Sequence, residues 1–205
     1  MRSPTQWFIS GSIPETPLLP LRVLDIGGGD GIRARRSFYP GAKITTLDLR
    51  SGWDIRYHRL PTGPWDVLLV NHLIEHLYDP DRLLEECARV SGPNTLLNLG
   101  TPNLAAWFNR GLFLAGYVPH SMELSLKHNV GKPFHWNQEG LGGHVRVFTL
   151  PALSQLLQHH GFNILDVVGE SSTFVCHPVI RWVDRLMTAW SPTLASAIRV
   201  YAQLA

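Results

Sequence analysis

Short apolar runs and amphipathic stretches alternate along most of this chain. Five runs rich in valine, isoleucine and leucine are too short for typical helices and are bounded by glycine or polar residues, which predicts strands. They span residues 21–26, 43–49, 65–70, 95–99 and 162–168. In the third run the apolar residues follow one another without alternation, which is typical of a strand buried on both faces.

Between these runs, apolar residues recur at helical spacing. Residues 79–90 begin with a capping aspartate and Pro80, and they place Leu83, Leu84 and Cys87 on one face. Helices are also predicted over residues 32–39 and 151–160, the second of which ends at Gly161, a suitable C-cap. Strands that alternate with helices predict an α/β fold with a mostly parallel sheet covered on both faces.

Three segments depart from this alternation. Residues 1–20 contain four prolines and predict an extended arm. Residues 102–148 are irregular and rich in aromatic residues, and a long irregular stretch inside a compact domain is usually functional. Residues 169–205 carry apolar positions at helical spacing, including Leu194, Ile198 and Tyr201, and predict two helices. The expected organisation is therefore an arm, a domain over residues 21–168 with an insert over 102–148, and a helical extension.

The apolar faces of the two C-terminal helices have three interpretations. They pack on the domain, they contact a second copy of the chain in a homodimer, or they lie on a membrane surface. No run reaches the ~18 apolar residues that a membrane-spanning helix needs. We therefore expect no transmembrane segment.

Composition narrows the class of protein. The chain has 205 residues, with 18 Lys and Arg against 16 Asp and Glu, so its net charge of +2 gives no electrostatic case for a nucleic-acid ligand. Two cysteines, Cys87 and Cys176, make no disulfide framework. With no signal peptide apparent, we expect a cytoplasmic protein with reduced thiols.

The first strand leads into a glycine-rich turn, an arrangement that binds nucleotide-like ligands at the carboxyl edge of a parallel sheet. The phosphate-gripping pattern GxxxxGK[ST] is absent, and the dinucleotide pattern would need glycine or alanine at Ile32. The pattern that fits has Asp25 followed by glycines at alternate positions from Gly27. A carboxylate there would repel a pyrophosphate but suits a ligand with a cationic end. Asp48, 19 residues after Gly29, suits the ribose of S-adenosylmethionine or of NAD equally.

Several segments together resemble the class I S-adenosylmethionine-dependent methyltransferases, in particular the small-molecule enzymes like those of ubiquinone biosynthesis. Residues 23–31 resemble their motif I, and 46–49 resemble the acidic end of their second strand. The likeness continues in the fourth-strand signature with its Glu-His-Leu and Asp-Pro, in the end of the fifth strand, and in the segment before the last strands (residues 65–80, 99–103 and 143–162). This chain departs from the family pattern in its proline-rich arm, which replaces the usual first helix. It also departs in the short interval after Asp48, which leaves room only for a very short third strand at 54–57.

The resemblance implies a Rossmann-like, doubly wound, mostly parallel seven-stranded sheet with one antiparallel strand. It implies S-adenosylmethionine as cofactor and a methyl transfer to a hydroxyl, or less readily an amine, of a small molecule such as a sugar or natural-product intermediate. The implied catalytic bases are His76 and His144. The implied cofactor-binding residues are Asp25, Gly27, Gly28, Gly29, Asp48, Leu49, Asp54, Asn71 and His72.

Other interpretations remain at this point. The pattern from His72 to His76 also matches an inverted zinc motif, but it follows a strand instead of lying within a long helix. Some related methyltransferases hold magnesium with Glu-x-x-Glu-His, and here His72 replaces the first carboxylate. We therefore predict that no metal is needed. A methyltransferase-fold protein that binds without turnover and an NAD-dependent oxidoreductase are the rival functions.

Overall fold

The strands in the described part of the chain form one sheet. The computed structural model describes residues 20–31, 39–133, 142–171 and 178–205. The strands are β1 (Arg22–Ile26), β2 (Lys43–Leu47), β3 (Val67–Asn71), β4 (Leu96–Pro102), β5 (Phe162–Glu170) and β6 (Ala197–Leu204). Their order is β2-β1-β3-β4-β6-β5, and β6 is antiparallel to both of its neighbours while the pairs from β2 to β4 are parallel. The predicted α/β sheet with one antiparallel strand is confirmed, with six strands in the described residues instead of seven.

Four α-helices accompany the sheet in the described residues: α1 (Pro80–Val90), α2 (Trp107–Leu114), α3 (Leu150–His159) and α4 (Pro178–Trp190). Helix α1 begins as predicted, because the Asp79 carboxylate accepts a hydrogen bond from the backbone N–H of Arg82 at 3.0 Å. Thr149 caps α3 in the same way. After α3, Gly161 takes the left-handed φ of 79° that closes a helix. Within the described residues, no helix is long and apolar enough to cross a bilayer.

One face of the sheet carries the larger core. Leu83, Leu84 and Cys87 of α1 pack with Leu153 and Leu157 of α3 on inward-facing residues of the strands, and these five side chains have no exposed surface. Burying each leucine stabilises the fold by roughly 1.5–3 kcal/mol. Burial also raises the pKa of the Cys87 thiol to about 12, so that this cysteine is an inert core residue. Cys176 lies outside the described residues.

The opposite face holds a buried charged group. Arg199 of β6 is 1% exposed, and its guanidinium bonds to Asn98 and to Asn71, each at 2.7 Å. It also pairs with Glu170 of β5, with Nε 2.5 Å from Oε1. A Cβ on Gly100 would lie 2.8 Å from this guanidinium, so the glycine makes room for it. The arginine therefore connects four neighbouring strands on one face.

The predicted third strand at residues 54–57 is wrong. Asp54 instead opens a turn, because its carbonyl accepts hydrogen bonds from the backbone N–H groups of Tyr57 and His58 at 3.0 and 2.8 Å. Only Ile55 of this turn is buried. A single inward residue gives too little buried area to hold an additional strand against the edge of the sheet.

The second predicted C-terminal helix is also wrong, although α4 confirms the first. Residues 197–204 form β6, which lies between β4 and β5 and completes the sheet. Ile198, Val200 and Ala202 alternate inward with period two. Without β6, the backbone N–H and C=O groups along the facing edges of β4 and β5 would lack hydrogen-bond partners. This requirement favours a strand over a helix for residues 197–204. The domain therefore does not end at residue 168. The predicted arm, apart from Pro20, and the predicted helix at 32–39, apart from Tyr39, lie outside the described residues.

We expect Arg199→Met to reduce the free energy of unfolding by about 3–5 kcal/mol, because it leaves the Glu170 carboxylate and two amide oxygens without their donor. Denaturant unfolding measures the change. Arg59→Met, at an exposed arginine, is the control and should change stability by less than about 0.5 kcal/mol. A loss below about 1 kcal/mol for Arg199→Met would contradict the structural role given to this network.

Candidate active site

The glycine turn after β1 is shaped by close backbone contacts. Gly27 and Gly29 have φ of 75° and 62°, in the left-handed region that favours glycine. A Cβ on Gly28 would lie 1.8 Å from the carboxylate of Asp25, which is itself 2% exposed. The predicted residues of motif I are therefore brought together, with the Asp25 carboxylate beneath the turn.

Asp48 joins this turn to the end of β2. Its Oδ2 accepts a hydrogen bond from the backbone N–H of Gly29 at 3.0 Å, and its Oδ1 accepts one from Arg50 at 3.0 Å. A Cβ on Gly29 would have nothing nearer than an Arg50 nitrogen at 3.9 Å, so open space adjoins the turn. Leu49 follows with 68% exposure. An open cradle beside a carboxylate and an exposed apolar side chain fits an adenosine group.

Asp54 is a predicted cofactor residue whose carboxylate already has a charged partner. Its carboxylate pairs with the Arg56 guanidinium, with Oδ2 2.6 Å from Nη2. This hydrogen bond holds the pKa of Asp54 below its usual range. The role of Asp54 in cofactor binding stays a prediction.

The end of β3 places Asn71 and His72 at the same edge of the sheet. The Asn71 side-chain oxygen accepts a hydrogen bond from the Arg199 guanidinium, and the role of Asn71 in cofactor binding stays a prediction. His72 has φ of 53°, and it is the non-glycine residue with positive φ in the described part of the chain. Such a conformation costs of order 1–3 kcal/mol and clusters at functional sites.

Glu75 is the centre of the next contacts. It has no exposed surface, its Oε1 lies 3.0 Å from His72 Nδ1, and its Oε2 accepts from the Thr101 hydroxyl at 3.0 Å. The backbone carbonyl of Glu75 also accepts the N–H groups of Val145 and Arg146, at 2.9 and 3.0 Å. One buried residue thus ties the ends of β3 and β4 to the segment before α3.

His76 and His144, the predicted bases, lie side by side. Their ring centroids are 4.9 Å apart. His76 Nδ1 is 3.1 Å from the carbonyl of Gly143, and His144 Nδ1 is 2.9 Å from the carbonyl of Ser121. Because a carbonyl only accepts hydrogen bonds, each neutral ring carries its proton on Nδ1 and keeps Nε2 as an acceptor. Either ring can therefore accept a proton from a neighbouring group at its Nε2 atom.

The insert holds these rings in place. Glu123 accepts the backbone N–H groups of Gly142 and Gly143, at 2.6 and 2.9 Å, and so fixes the carbonyl that orients His76. Nearby, the Lys132 ammonium donates to the carbonyl of His120 at 2.5 Å. Burial, helped by the charge of Lys132, lowers the pKa of His120 and favours its neutral form.

The aromatic residues of the insert differ in environment. Trp107 donates to the Asp184 carboxylate at 2.9 Å, which is a structural contact, whereas Phe113 is 72% exposed and closes no core. Trp136 lies outside the described residues. The assignment of residues 102–148 as acceptor pocket stays a prediction.

Glu75 and the histidine pair together have the geometry of a metal site. Ligand atoms of Glu75, His76 and His144 lie within 4.8 Å of one another. One carboxylate and two imidazoles suit transition metals better than magnesium, which prefers oxygen ligands. His72 directs its Nδ1 to Glu75 and adds no carboxylate. The prediction that no metal is needed is therefore open to a direct test, given below.

The fold and the glycine site define a class I S-adenosylmethionine-dependent methyltransferase. The chain belongs to this class: the family described as "Methyltransferase domain" matches residues 10–167. The ubiquinone biosynthesis O-methyltransferase of Caulobacter sp. (strain K31) is 29% identical over 43% of this chain and 43% of its own length. That of Xylella fastidiosa (strain 9a5c) is 28% identical over 75% and 65%. The chain thus matches less than half the length of the first relative.

A solved structure supports the fold assignment. The S-adenosylmethionine dependent methyltransferase from Mesorhizobium loti superposes with a TM-score of 0.55 at 18% identity, and the match covers 97% of both chains. Similarity at this level of identity shows the shared fold.

Sequence reasoning did not single out three residues that shape this site. Glu123 and Ser121 lie in an irregular segment, where no periodicity marks their contacts. Arg199 lies in a segment predicted as helix, although the alternation of β6 was a signal for a strand with one polar face.

We expect Gly29→Val to abolish S-adenosylmethionine binding, because a branched side chain would fill the open space beside the turn. Calorimetric titration with S-adenosylmethionine and S-adenosylhomocysteine measures the effect. Gly41→Val is the matched control, because Gly41 also has positive φ, at 82°, with nothing within 4 Å of an added Cβ. Equal loss of binding in both variants would mean that backbone strain, not ligand exclusion, is the cause. NADH binding by the wild type in place of both ligands would contradict the cofactor assignment.

We expect methyl transfer to persist in EDTA, because His72 replaces the carboxylate that magnesium would need and both Glu75 carboxylate oxygens are already engaged by His72 and Thr101. The measurement is the rate of S-adenosylhomocysteine release before and after dialysis against the chelator. Loss of activity that magnesium, manganese or zinc restores would contradict this prediction, and Glu75, His76 and His144 would then be metal ligands.

Proposed function

We propose that this chain transfers a methyl group from S-adenosylmethionine to a hydroxyl oxygen of a small molecule. The observation that carries the proposal is the pair of imidazoles at the carboxyl edge, whose Nδ1 atoms are both directed to backbone carbonyls. A hydroxyl must lose its proton during methylation, whereas a neutral amine attacks first. A base with an available ring nitrogen therefore favours oxygen over nitrogen as the methylated atom.

The residues of the glycine turn fit the cofactor. We assign the adenosine end to Asp48, Leu49 and the open cradle at Gly29, and the cationic end to the side of the turn near Asp25. Asp54 is the weaker member of this set because Arg56 occupies its carboxylate. When bound, the cofactor supplies an electrophilic methyl group on its sulfonium sulfur. The rest of the cofactor leaves as a neutral thioether, so the leaving group needs no acid.

The histidine pair supplies the general base in this proposal. Nε2 of His76 or His144 accepts the hydroxyl proton while the acceptor oxygen forms its bond to the methyl carbon. The carbonyls of Gly143 and Ser121 fix the orientation of the rings, and they stabilise the imidazolium by keeping their hydrogen bonds from Nδ1. The buried Glu75 acts as a positioning residue through His72 and the backbone of Val145.

Residues 102–148 are assigned to the acceptor. They follow β4 at the edge where ligands of such sheets bind, and they supply Ser121 and Glu123 to the histidine pair. Alignment of acceptor and methyl group within this segment is worth up to ~7–11 kcal/mol in reactions of this kind. The names of the relatives point to O-methylation, and the acceptor itself, including a sugar or natural-product intermediate, is the part to be determined by experiment.

A panel of phenols, sugars and amines, assayed for S-adenosylhomocysteine release and for product mass, tests the proposal. Methylated oxygen in the product supports it, and methylated nitrogen contradicts it. Tight binding of S-adenosylmethionine with no turnover on any acceptor would favour the rival, a methyltransferase-fold protein that binds without catalysis.

With an acceptor in hand, we expect His76→Gln or His144→Gln to lower kcat by about 10²–10⁴ while cofactor affinity stays unchanged, because a general base contributes that much. The variant with the larger loss identifies the base. His159→Gln, at an exposed histidine of α3, is the control. Unchanged kcat in both variants would exclude a base role for the pair.

A further inference from the structure

The guanidinium of Arg199 reaches the cofactor edge of the sheet through Asn71. Arg199 pairs with Gly100 across β6 and β4, and Gly100 in turn pairs with Asn71 across β4 and β3. Because Gly100 carries no side chain, the guanidinium passes over it and donates to Asn71 Oδ1 at 2.7 Å. Asn71 is the last residue of β3, so this buried network ends at the carboxyl edge of the sheet, where the glycine turn also lies.

The contact with Arg199 fixes the orientation of the Asn71 amide. A guanidinium has only donors, so the amide atom that faces it is the oxygen. The Asn71 nitrogen, Nδ2, therefore lies on the other side of the amide. This side chain is partly exposed, and Nδ2 donates to no residue in the described part of the chain. Two N–H donors of Asn71 are thus available to a ligand at the edge.

Asp25 lies on the same face of the sheet, one strand away from Asn71. It pairs with Leu69 across β1 and β3. Residues two apart on a strand share a face, so Asn71 and Asp25 project from the same side. The Asp25 carboxylate is 2% exposed beneath the glycine turn. A carboxylate and an amide with two donors therefore occupy diagonal positions on neighbouring strands at one edge.

These two groups match the amino-acid end of S-adenosylmethionine, in which an ammonium and a carboxylate are attached to the same carbon. The negative charge of Asp25 attracts the ammonium but repels the carboxylate, so the carboxylate needs donors close by. We propose that the Asn71 amide donates to the cofactor carboxylate, and that Arg199 is a positioning residue that holds the amide in this orientation. The inference rests on the proposed function only for its cofactor and uses no property of the acceptor.

The test compares S-adenosylmethionine with its decarboxylated analogue, which lacks only the carboxylate. Calorimetric titration gives the ratio of the two affinities. We expect Asn71→Asp to weaken S-adenosylmethionine binding by about tenfold or more, because the substitution removes both donors and adds a like charge, and to leave binding of the analogue undiminished. The aspartate keeps an oxygen for Arg199, so denaturant unfolding should show stability close to that of the wild type.

Asn98→Asp is the matched control for this substitution. Asn98 also accepts from Arg199 at 2.7 Å, but it is 1% exposed and lies two residues before Gly100, away from the edge. The control therefore adds the same negative charge beside the same guanidinium without changing a donor at the edge. We expect it to keep the wild-type preference for S-adenosylmethionine over the decarboxylated analogue.

A second pair of variants tests the positioning role of Arg199. Arg199→Lys keeps the charge but loses the planar fork that orients the amide, and it should reduce the preference for S-adenosylmethionine by about threefold to tenfold. Glu170→Gln alters another partner of the same arginine and leaves Asn71 unchanged, so it should keep the preference. A purely structural role of Arg199 would weaken binding of both ligands equally and leave the ratio as it is.

Four results would overturn the proposal. Equal affinity of the wild type for both ligands, or an unchanged ratio in Asn71→Asp, would exclude the amide as the carboxylate's donor. Loss of the ratio in Asn98→Asp as well would assign the effect to charge near Arg199 instead of to the N–H groups. An unchanged ratio in Arg199→Lys would exclude the positioning role. None of these measurements involves methyl transfer, so failure of this proposal is distinguishable from failure of the proposed function.

Discussion

The site depends on the burial of one carboxyl group. Glu75 lies at the edge of the sheet without solvent, and a polar group in that position is tolerated only when its hydrogen bonds are satisfied. His72 and Thr101 meet that requirement from the ends of β3 and β4, and the Glu75 carbonyl holds Val145 and Arg146. The same set of bonds sets the strained backbone at His72 and brings the segment of His144 to His76. The arrangement of these residues thus follows from the need to satisfy the hydrogen bonds of one buried carboxyl group.

The second buried charge, Arg199, explains why the C-terminal strand belongs to the domain. A guanidinium between four strands is stable only with its acceptors in place, and Glu170, Asn98 and Asn71 come from β5, β4 and β3. Because Asn71 ends the strand that carries the cofactor edge, β6 supports the site from the opposite face of the sheet. A boundary at residue 168 would separate Arg199 from that role.

Local sequence signals predicted the elements whose pattern matches their final environment. The glycine turn, the capped start of α1 and the five apolar runs have that property. His76 and His144, which the family resemblance implies as bases, lie with their ring centroids 4.9 Å apart, and their role as bases stays a prediction. Residues 194–201 satisfy helical and strand spacing at once, and only the open edges of β4 and β5 decide between them. The contacts of Glu123 and Ser121 join residues about 20 positions apart in an irregular segment, so no local signal predicts them.

Asp184 connects the C-terminal helix to the segment that we assign to the acceptor. Its hydrogen bond from Trp107 joins α4 to α2, which belongs to that segment, and its hydrogen bond from Ser196 joins α4 to the residue before β6. Because the Asp184 carboxylate has no exposed surface, breaking these bonds would leave part of a buried charge unsatisfied. One buried acid therefore holds α2, α4 and the start of β6 together, in the same way that Glu75 holds the ends of β3 and β4 to the segment before α3.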